Sequence, residues 1–456
     1  TADPHDGTTR LYINNAGNIG IGTTSPAQKL HVDGDVQTGK QINIIGASTE
    51  DVELRLLTDA AAAAGDYWKI MHKQSNDALL FQHFGTGAYV SHLALDANSR
   101  ISLSNNNVSG ATSNTIFGKL AGNDLASGGT NNSFFGESAG NSYTTGDNSV
   151  AIGFYAGLHN QTGGDNTYVG YGAGLGADGQ NHSDNTAVGS EALSSITDGG
   201  NNVAIGKRAG YVVTSGAGNT IIGRLAADAL NANSNVVIGD SALGTATTAT
   251  ENVAIGSDAM SLVQAGQAIT GVVAIGQNAL KGGSTTTAVD GAIAIGKDSL
   301  KALTSGAGNV AVGYNTGLYT TTGGSNTYVG YEAGKGVDGT PQTSGNNVAI
   351  GQGAGINLQG AATSSTFVGT AAGDVVTTGT NNICIGTLSD PSSATGINQI
   401  VIGTSTTGVA DNSVTLGNAD VTDVYMSSDS QAYVHSQNVP NHVANTMSSP
   451  YYRFDG

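Results

Sequence analysis

Between Asn114 and Gly417 the apolar and polar positions repeat one phrase, typified by Asn202-Val203-Ala204-Ile205-Gly206 followed by Lys207-Arg208-Ala209-Gly210. Aligned on the Gly that closes the phrase, there are eighteen copies from Gly118 to Gly417, most often 17 residues apart and never outside 14 to 21. A unit this short holds one or two short strands plus turns. The pattern therefore predicts an all-β fold dominated by a parallel β-solenoid of about 18 coils. The residue before the Gly is always apolar, and the third before it is β-branched in every copy except Ser133. Side chains alternate faces along a strand, so these two positions share a face, expected here to be the interior. That expectation makes Ile152, Val203, Ile205, Ile255, Ile295, Val312 and Ile350 core residues.

The second residue before the Gly then points outward, yet it too is apolar: Tyr168, Ala204, Val237, Ala254, Tyr328 and Phe367 are examples. Stacked at about 4.8 Å per coil, such a row forms an apolar stripe roughly 80 Å long, more than a soluble monomer ordinarily exposes. Copies of the same chain present the same stripe in register, so self-association under closed rotational symmetry is the economical cover.

Asn stands four before the Gly in twelve copies, including Asn166, Asn185, Asn202, Asn219, Asn235 and Asn252. Stacking aligns these amides into a ladder in which each donates to one neighbour and accepts from the other. Ala recurs three after the Gly, as at Ala209 and Ala259, where it suits a tight inner corner. The Gly itself is expected at a bend where a Cβ would clash. Unit length varies only between phrases, as in Asn141 to Gly146 or Gly282 to Asp290, which marks loops on one edge. Asn166-Thr-Tyr-Val-Gly-Tyr recurs at Asn326, 160 residues on, the trace of a duplicated nine-coil block. Gly is abundant, at 69 of 456 residues, but disorder needs no phase and this array keeps its phase throughout.

Residues 1–112 lie outside the repeat and read as a β-rich module. Leu11 to Gly22 is a strand, turn and strand, Lys29 to Val36 adds a short strand, and Val52–Leu57, Tyr67–Met71, Ala78–Phe84 and Tyr89–Leu95 are successive strands of an antiparallel sheet. The array occupies 113–417. Residues 418–456 are expected to hold a capping strand at Val421 to Met426, then a polar linker to a missing C-terminal part.

The formal charge of −18 argues against a nucleic-acid backbone or an anionic membrane as partner. No apolar run is long enough to insert into a bilayer as a helix. The start at Thr1 carries neither the basic nor the apolar region of a secretory leader and reads as internal or processed. The single cysteine, Cys384, leaves stability to packing and association.

No catalytic constellation emerges, and no cofactor or metal is expected. The nine histidines never pair at metal-ligand spacing, and phrases such as Gly170-Tyr-Gly-Ala-Gly lack the lysine and the strand-to-helix context of a phosphate loop. Paired carboxylates that cut glycosidic bonds would have to come from loop acids such as Asp147, Asp165, Asp184, Glu191, Glu332 and Asp338, which read as solvated surface. Tyr143, Tyr155, Tyr171, Tyr211, Tyr314, Tyr319 and Tyr331 read as lateral packing residues, with sugar stacking the other use of such rings.

The Asn-Val-Ala-Ile-Gly units resemble the left-handed β-roll repeats in head domains of trimeric autotransporter adhesins, whose own repeats are shorter and more uniform. With the segment from Gly17 to Val32 (Gly-Asn-Ile-Gly-Ile-Gly-Thr-Thr-Ser-Pro-Ala-Gln-Lys-Leu-His-Val), the chain is more similar still to repeat regions of phage tail-fibre proteins. Tyr451 to Gly456 resembles the first strand of concanavalin-like lectin domains. The resemblance implies a non-enzymatic homotrimeric fibre of a virion tail, extracellular, joined to other tail proteins and presenting a tip to a host cell-surface glycan or protein. A bacterial cell-surface adhesin or filament, and a polysaccharide-degrading tailspike, are the alternatives.

Overall fold

The computed structural model describes residues 11–26, 28–32, 51–57, 67–73, 78–85, 88–95, 101–103, 113–125, 128–282, 289–343 and 345–424. By contact the chain divides into two units, Thr1–Asn105 and Asn106–Gly456.

In the first unit, β1 (Tyr12–Ile13) runs antiparallel to β2 (Ile19–Ile21), with Asn14 Oδ1 accepting from the amides of Ala16 and Asn18 in the turn between them. β3 (Leu30–Val32) lies parallel to β2. A second sheet orders β4 (Val52–Leu57), β5 (Tyr67–Lys73), β6 (Ala78–Gly85), β7 (Ala88–Leu95) and β8 (Ile101–Leu103) as an antiparallel meander. This is the module the alternating patterns predict. Met71, Ala78 and Leu80 form its small buried cluster. Lys69 is buried beside them and its ammonium meets Glu53 at 3.1 Å.

The second unit is the solenoid. Eighteen three-residue strands, from β9 (Thr115–Phe117) to β26 (Val414–Leu416), pair in parallel, each in register with the same three repeat positions of the next coil. Turns occupy the rest of each coil and are tied to their neighbours by backbone hydrogen bonds, as in Arg208 N to Ser190 O at 2.9 Å and Gly210 N to Ala226 O at 2.9 Å. A Cβ on Gly206 would lie 2.5 Å from the carbonyl oxygen of Gly223, so the bend after the strand tolerates only glycine.

The structure reverses the assignment of the two strand faces. Ile152, Val203, Ile205, Ile255, Ile295, Val312 and Ile350, placed inside by the pattern, lie on the outer face and are half-buried or exposed. Tyr168, Ala204, Val237, Ala254, Tyr328 and Phe367, placed outside, are completely buried in the core of a single chain. The reason is volume. A coil of about 17 residues closes around a narrow interior that already holds the Ala three after the Gly, an apolar residue seven after it such as Val213 or Leu230, and the Asn row. One further side chain per strand fits, often Ala and at Tyr168, Tyr328 and Phe367 a large ring, whereas two branched ones do not.

The Asn ladder forms as the spacing predicts. Asn202 Nδ2 donates to Asn185 Oδ1 at 3.1 Å and to Gly216 O at 2.9 Å, while its Oδ1 accepts from Asn219. Asn166, Asn185, Asn219, Asn235 and Asn252 are buried and bonded in the same manner. The row has no side-chain amide at Ser149, Val272, Ala292, Ser365 and Ser413. At the far end, Val421–Val424 carries no strand, and the remainder of the expected cap lies outside the described residues.

Candidate functional site

Two surfaces of the solenoid stand out once its core is accounted for. The first is the outward strand face. Its two rows, one and three before each Gly, hold thirty-six residues without a charge among them, including exposed Phe117, Phe135, Ile205, Ile385 and Ile402. Phe117 and Phe135 stack with ring centroids 6.4 Å apart. The face is about 80 Å long and about 10 Å wide, the span of three strand residues.

The second is a groove on the edge two to eight residues past the strand-closing Gly. A polar hollow of about 270 Å³ includes Asp228, Ser241, Thr245, Asp258 and Ser261 in its lining. A larger hollow of about 460 Å³ includes Lys301, Ala302, Leu318 and Tyr319. Leu262 and Lys281 line both, so the two are continuous.

In the polar half, Asp228 Oδ2 meets the Arg208 guanidinium at 3.3 Å, whereas its Oδ1 has no partner. Burial pushes the Asp228 carboxyl above its usual range, with Arg208 opposing and Glu191 adding to the rise. Thr245 Oγ1 is close to two carbonyls, Ser261 O at 2.8 Å and Val263 O at 2.7 Å, as a donor. Ser261 is 94% buried, with 6% relative exposure, and its Oγ has no partner. Lys281 Nζ lies 3.4 Å from Asp258 Oδ2, and Lys301 Nζ lies 3.1 Å from Asp298 Oδ1. Nothing in the repeat pattern pointed to this groove, because residues there vary from coil to coil. Its only signal in the sequence is the clustering of Lys281 and Lys301 in a chain otherwise poor in cations.

The aromatic residues sort into three places. Tyr143 is buried in the core and accepts from Asn160 Nδ2 at 3.0 Å, so it packs inside its own coil rather than laterally. Phe154 and Tyr171 stack at 5.8 Å, and Tyr314 and Tyr331 at 5.5 Å, as two half-exposed pairs 160 residues apart. Tyr155 packs on Phe154, Tyr211 lies beneath the Arg208 guanidinium at 4.2 Å, and Tyr319 lines the groove.

Three of the loop acids are held by neighbouring polar groups. Asp147 Oδ1 accepts from the Thr130 amide and hydroxyl, Asp165 bonds Asn148, and Glu332 is held ionised mainly by Lys335. Among the described residues no group of three or more His, Cys, Asp or Glu is placed to hold a metal ion, and no helix is long and apolar enough to cross a membrane.

Buried Tyr168 bonds His182 Nδ1 at 2.6 Å and Asn166 Oδ1 at 2.8 Å. At the equivalent place one block later, Tyr328 OH bonds Gln342 Nε2 at 2.5 Å, and Gln342 Oε1 accepts from Thr320 at 2.8 Å. These are polar plugs of the core. No protein-family model matches the sequence, and no curated protein matches it either.

Proposed function

We propose that this chain is a structural subunit of a fibre or spike, which assembles as a homotrimer through its outward strand face and serves attachment to a host surface. The observation that carries this reading is the uncharged outer face itself. At about 80 Å by 10 Å it offers each chain roughly 800 Å², the area one partner contributes to a stable specific interface. Each rung presents the same two repeat positions in the same register, so one rotation that seats one rung seats all of them. The parallel ladder supplies stiffness at low charge, and several weak contacts carried on one assembly raise effective concentration at a surface. A virion tail is the location that fits such a part, alongside other tail proteins, with a host glycan or protein as its target; a bacterial surface filament needs the same architecture.

The test is the mass of the chain in solution by native mass spectrometry and sedimentation. Three chains per particle are expected. The variant carrying Ile205→Ser, Ile222→Ser and Ile238→Ser is expected to keep the β spectrum of the coil while shifting the particle toward monomer. A wild-type chain that sediments as a monomer at micromolar concentration sinks the reading.

A further inference from the structure

We propose that the groove from Asp228 to Tyr319 binds a segment of a neutral, linear polysaccharide along the side of the solenoid. The proposal deepens the attachment reading by naming a ligand class and a place, and it does not depend on the number of chains.

The geometry of the groove sets the shape of the ligand. Its two hollows run from the coil closed by Gly223 to the coil closed by Gly313, five steps of the ladder. At about 4.8 Å a step that is roughly 24 Å, long enough for several linked rings and too long for one small molecule.

The chemistry of the lining sets the class. At the polar end, Asp228 Oδ1 and Ser261 Oγ are buried atoms without partners, and such atoms ordinarily have one. A carboxylate oxygen and, two coils along, a serine hydroxyl accept from and donate to ring hydroxyls. At the other end Leu262, Leu318 and Tyr319 offer apolar and aromatic surface to the C–H face of a sugar ring. The charges in the lining cancel: Asp228 and Asp258 stand against Lys281 and Lys301. A polyanion therefore gains no net attraction there.

A peptide is the poorer occupant. An extended peptide docks by pairing with free backbone groups, and along this edge those groups are already used. Leu262 N donates to Lys281 O, Gly282 N to Lys301 O, and Ala302 N to Leu318 O.

The experiment is native electrophoresis of the full chain through gels cast with dextran, mannan, laminarin or xyloglucan, with alginate as the charged comparison. Retardation by at least one neutral polymer is expected. Leu262→Ser removes exposed apolar surface, and Ala302→Trp fills the groove. Each is expected to weaken retardation at least about tenfold, as loss of a contact at the centre of an interface does. Far-ultraviolet circular dichroism and native mass should match wild type in both variants. The control Glu137→Gln, outside the groove, should bind as wild type. The proposal is overturned by absence of retardation in every neutral gel, by retardation in alginate alone, or by retardation that both variants retain. In each of those outcomes an unchanged native mass leaves the structural reading standing.

Discussion

The side-chain oxygen of Asn202 accepts two hydrogen bonds from Asn219, one from its backbone N–H and one from its Nδ2, each at 3.0 Å. Asn219 passes the arrangement on, its Oδ1 accepting from Asn235 N at 3.0 Å while its Nδ2 reaches Ala232 O at 2.7 Å. One amide thus joins three coils, and none of its polar atoms faces water.

Replacing Asn219 by Ala should open the solenoid locally. The buried N–H of Asn235 and the carbonyl of Ala232 lose their side-chain partner, at a cost of about 2–4 kcal/mol. Hydrogen exchange should show faster exchange from about 203 to 238, with coils beyond that range protected as in wild type. Uniform protection would show the ladder to be incidental.

Core volume is shared between the residue two before the Gly and the residue four after it. Where the first is Phe134, Tyr168, Tyr328 or Phe367, the second is Gly140, Gly174, Gly334 or Gly373. Where the first is Ala254 or Ala294, the second is buried Met260 or Leu300. A Cβ on Gly140 would come within 2.6 Å of the Phe134 ring. Phe367→Ala alone should cost about 3–5 kcal/mol as a cavity, and Gly373→Leu alone should clash with the same ring. Together they re-create the Ala294 and Leu300 pair, in which Leu300 already adopts φ 47°. The double variant should recover about 0.5–3 kcal/mol relative to additivity in chemical denaturation; strict additivity refutes the exchange.

Inward and outward strand positions should respond oppositely to size. Ala204→Leu overfills the interior and should destabilise its coil by about 1–3 kcal/mol. Ile205→Thr, on the outer face, should change thermal stability of the isolated chain by much less. Equal losses from the two substitutions would contradict the face assignment.

Burial lowers the His182 pKa to about 4. Because the folded value is depressed below the unfolded one of about 6.5, the unfolded chain binds the proton more readily between them. The contribution of neutral His182 is therefore complete above pH 6.5 and is lost as pH falls toward 4, by about 3 kcal/mol. Asp390 works the other way, its carboxyl raised to about 6 by burial and by Asp374, so it favours the fold at low pH. The comparison to make is wild type against His182→Gln, which copies the natural Gln342. The difference in unfolding free energy should grow in favour of the variant as pH falls from 6.5 to 4. A constant difference across that range rules the mechanism out.

Cys384 is wholly buried, and its thiol is pushed up to about 12, chiefly by burial and next by Asp390. The thiolate is the reactive form. Iodoacetamide at pH 8 should therefore label Cys384 only as its coil opens, with a rate that follows denaturant. Rapid labelling of the native chain would place the strand face the other way round.

Period, strand length and the Asn row are set by local rules and are legible in the sequence. A phrase recurring every 17 or so residues admits only a solenoid, and alternation along Asn202 to Ile205 puts the Asn and Ala204 on one face. That link held the answer to which face is inside, since an amide ladder without water belongs in the interior. Both faces are apolar, however, so hydrophobicity could not choose between them, and branched residues at Val203 and Ile205 looked more core-like than Ala204. Left-handed backbone at the fifth position before each Gly, as at Asn148, Asn201 and Asn381, is likewise written in its preference for Asn, Asp, Gly and Ser.

What only tertiary structure decided depends on closing the coil and stacking unlike coils. Closure limits the interior to one side chain per strand, the central one, and turns the two beside it out. Stacking brings Asp228, Ser261 and Tyr319 to one edge from positions up to 91 residues apart, and no periodic signal marks them. A repeat records what every coil must do to pack on the next, whereas the groove arises from what particular coils do differently.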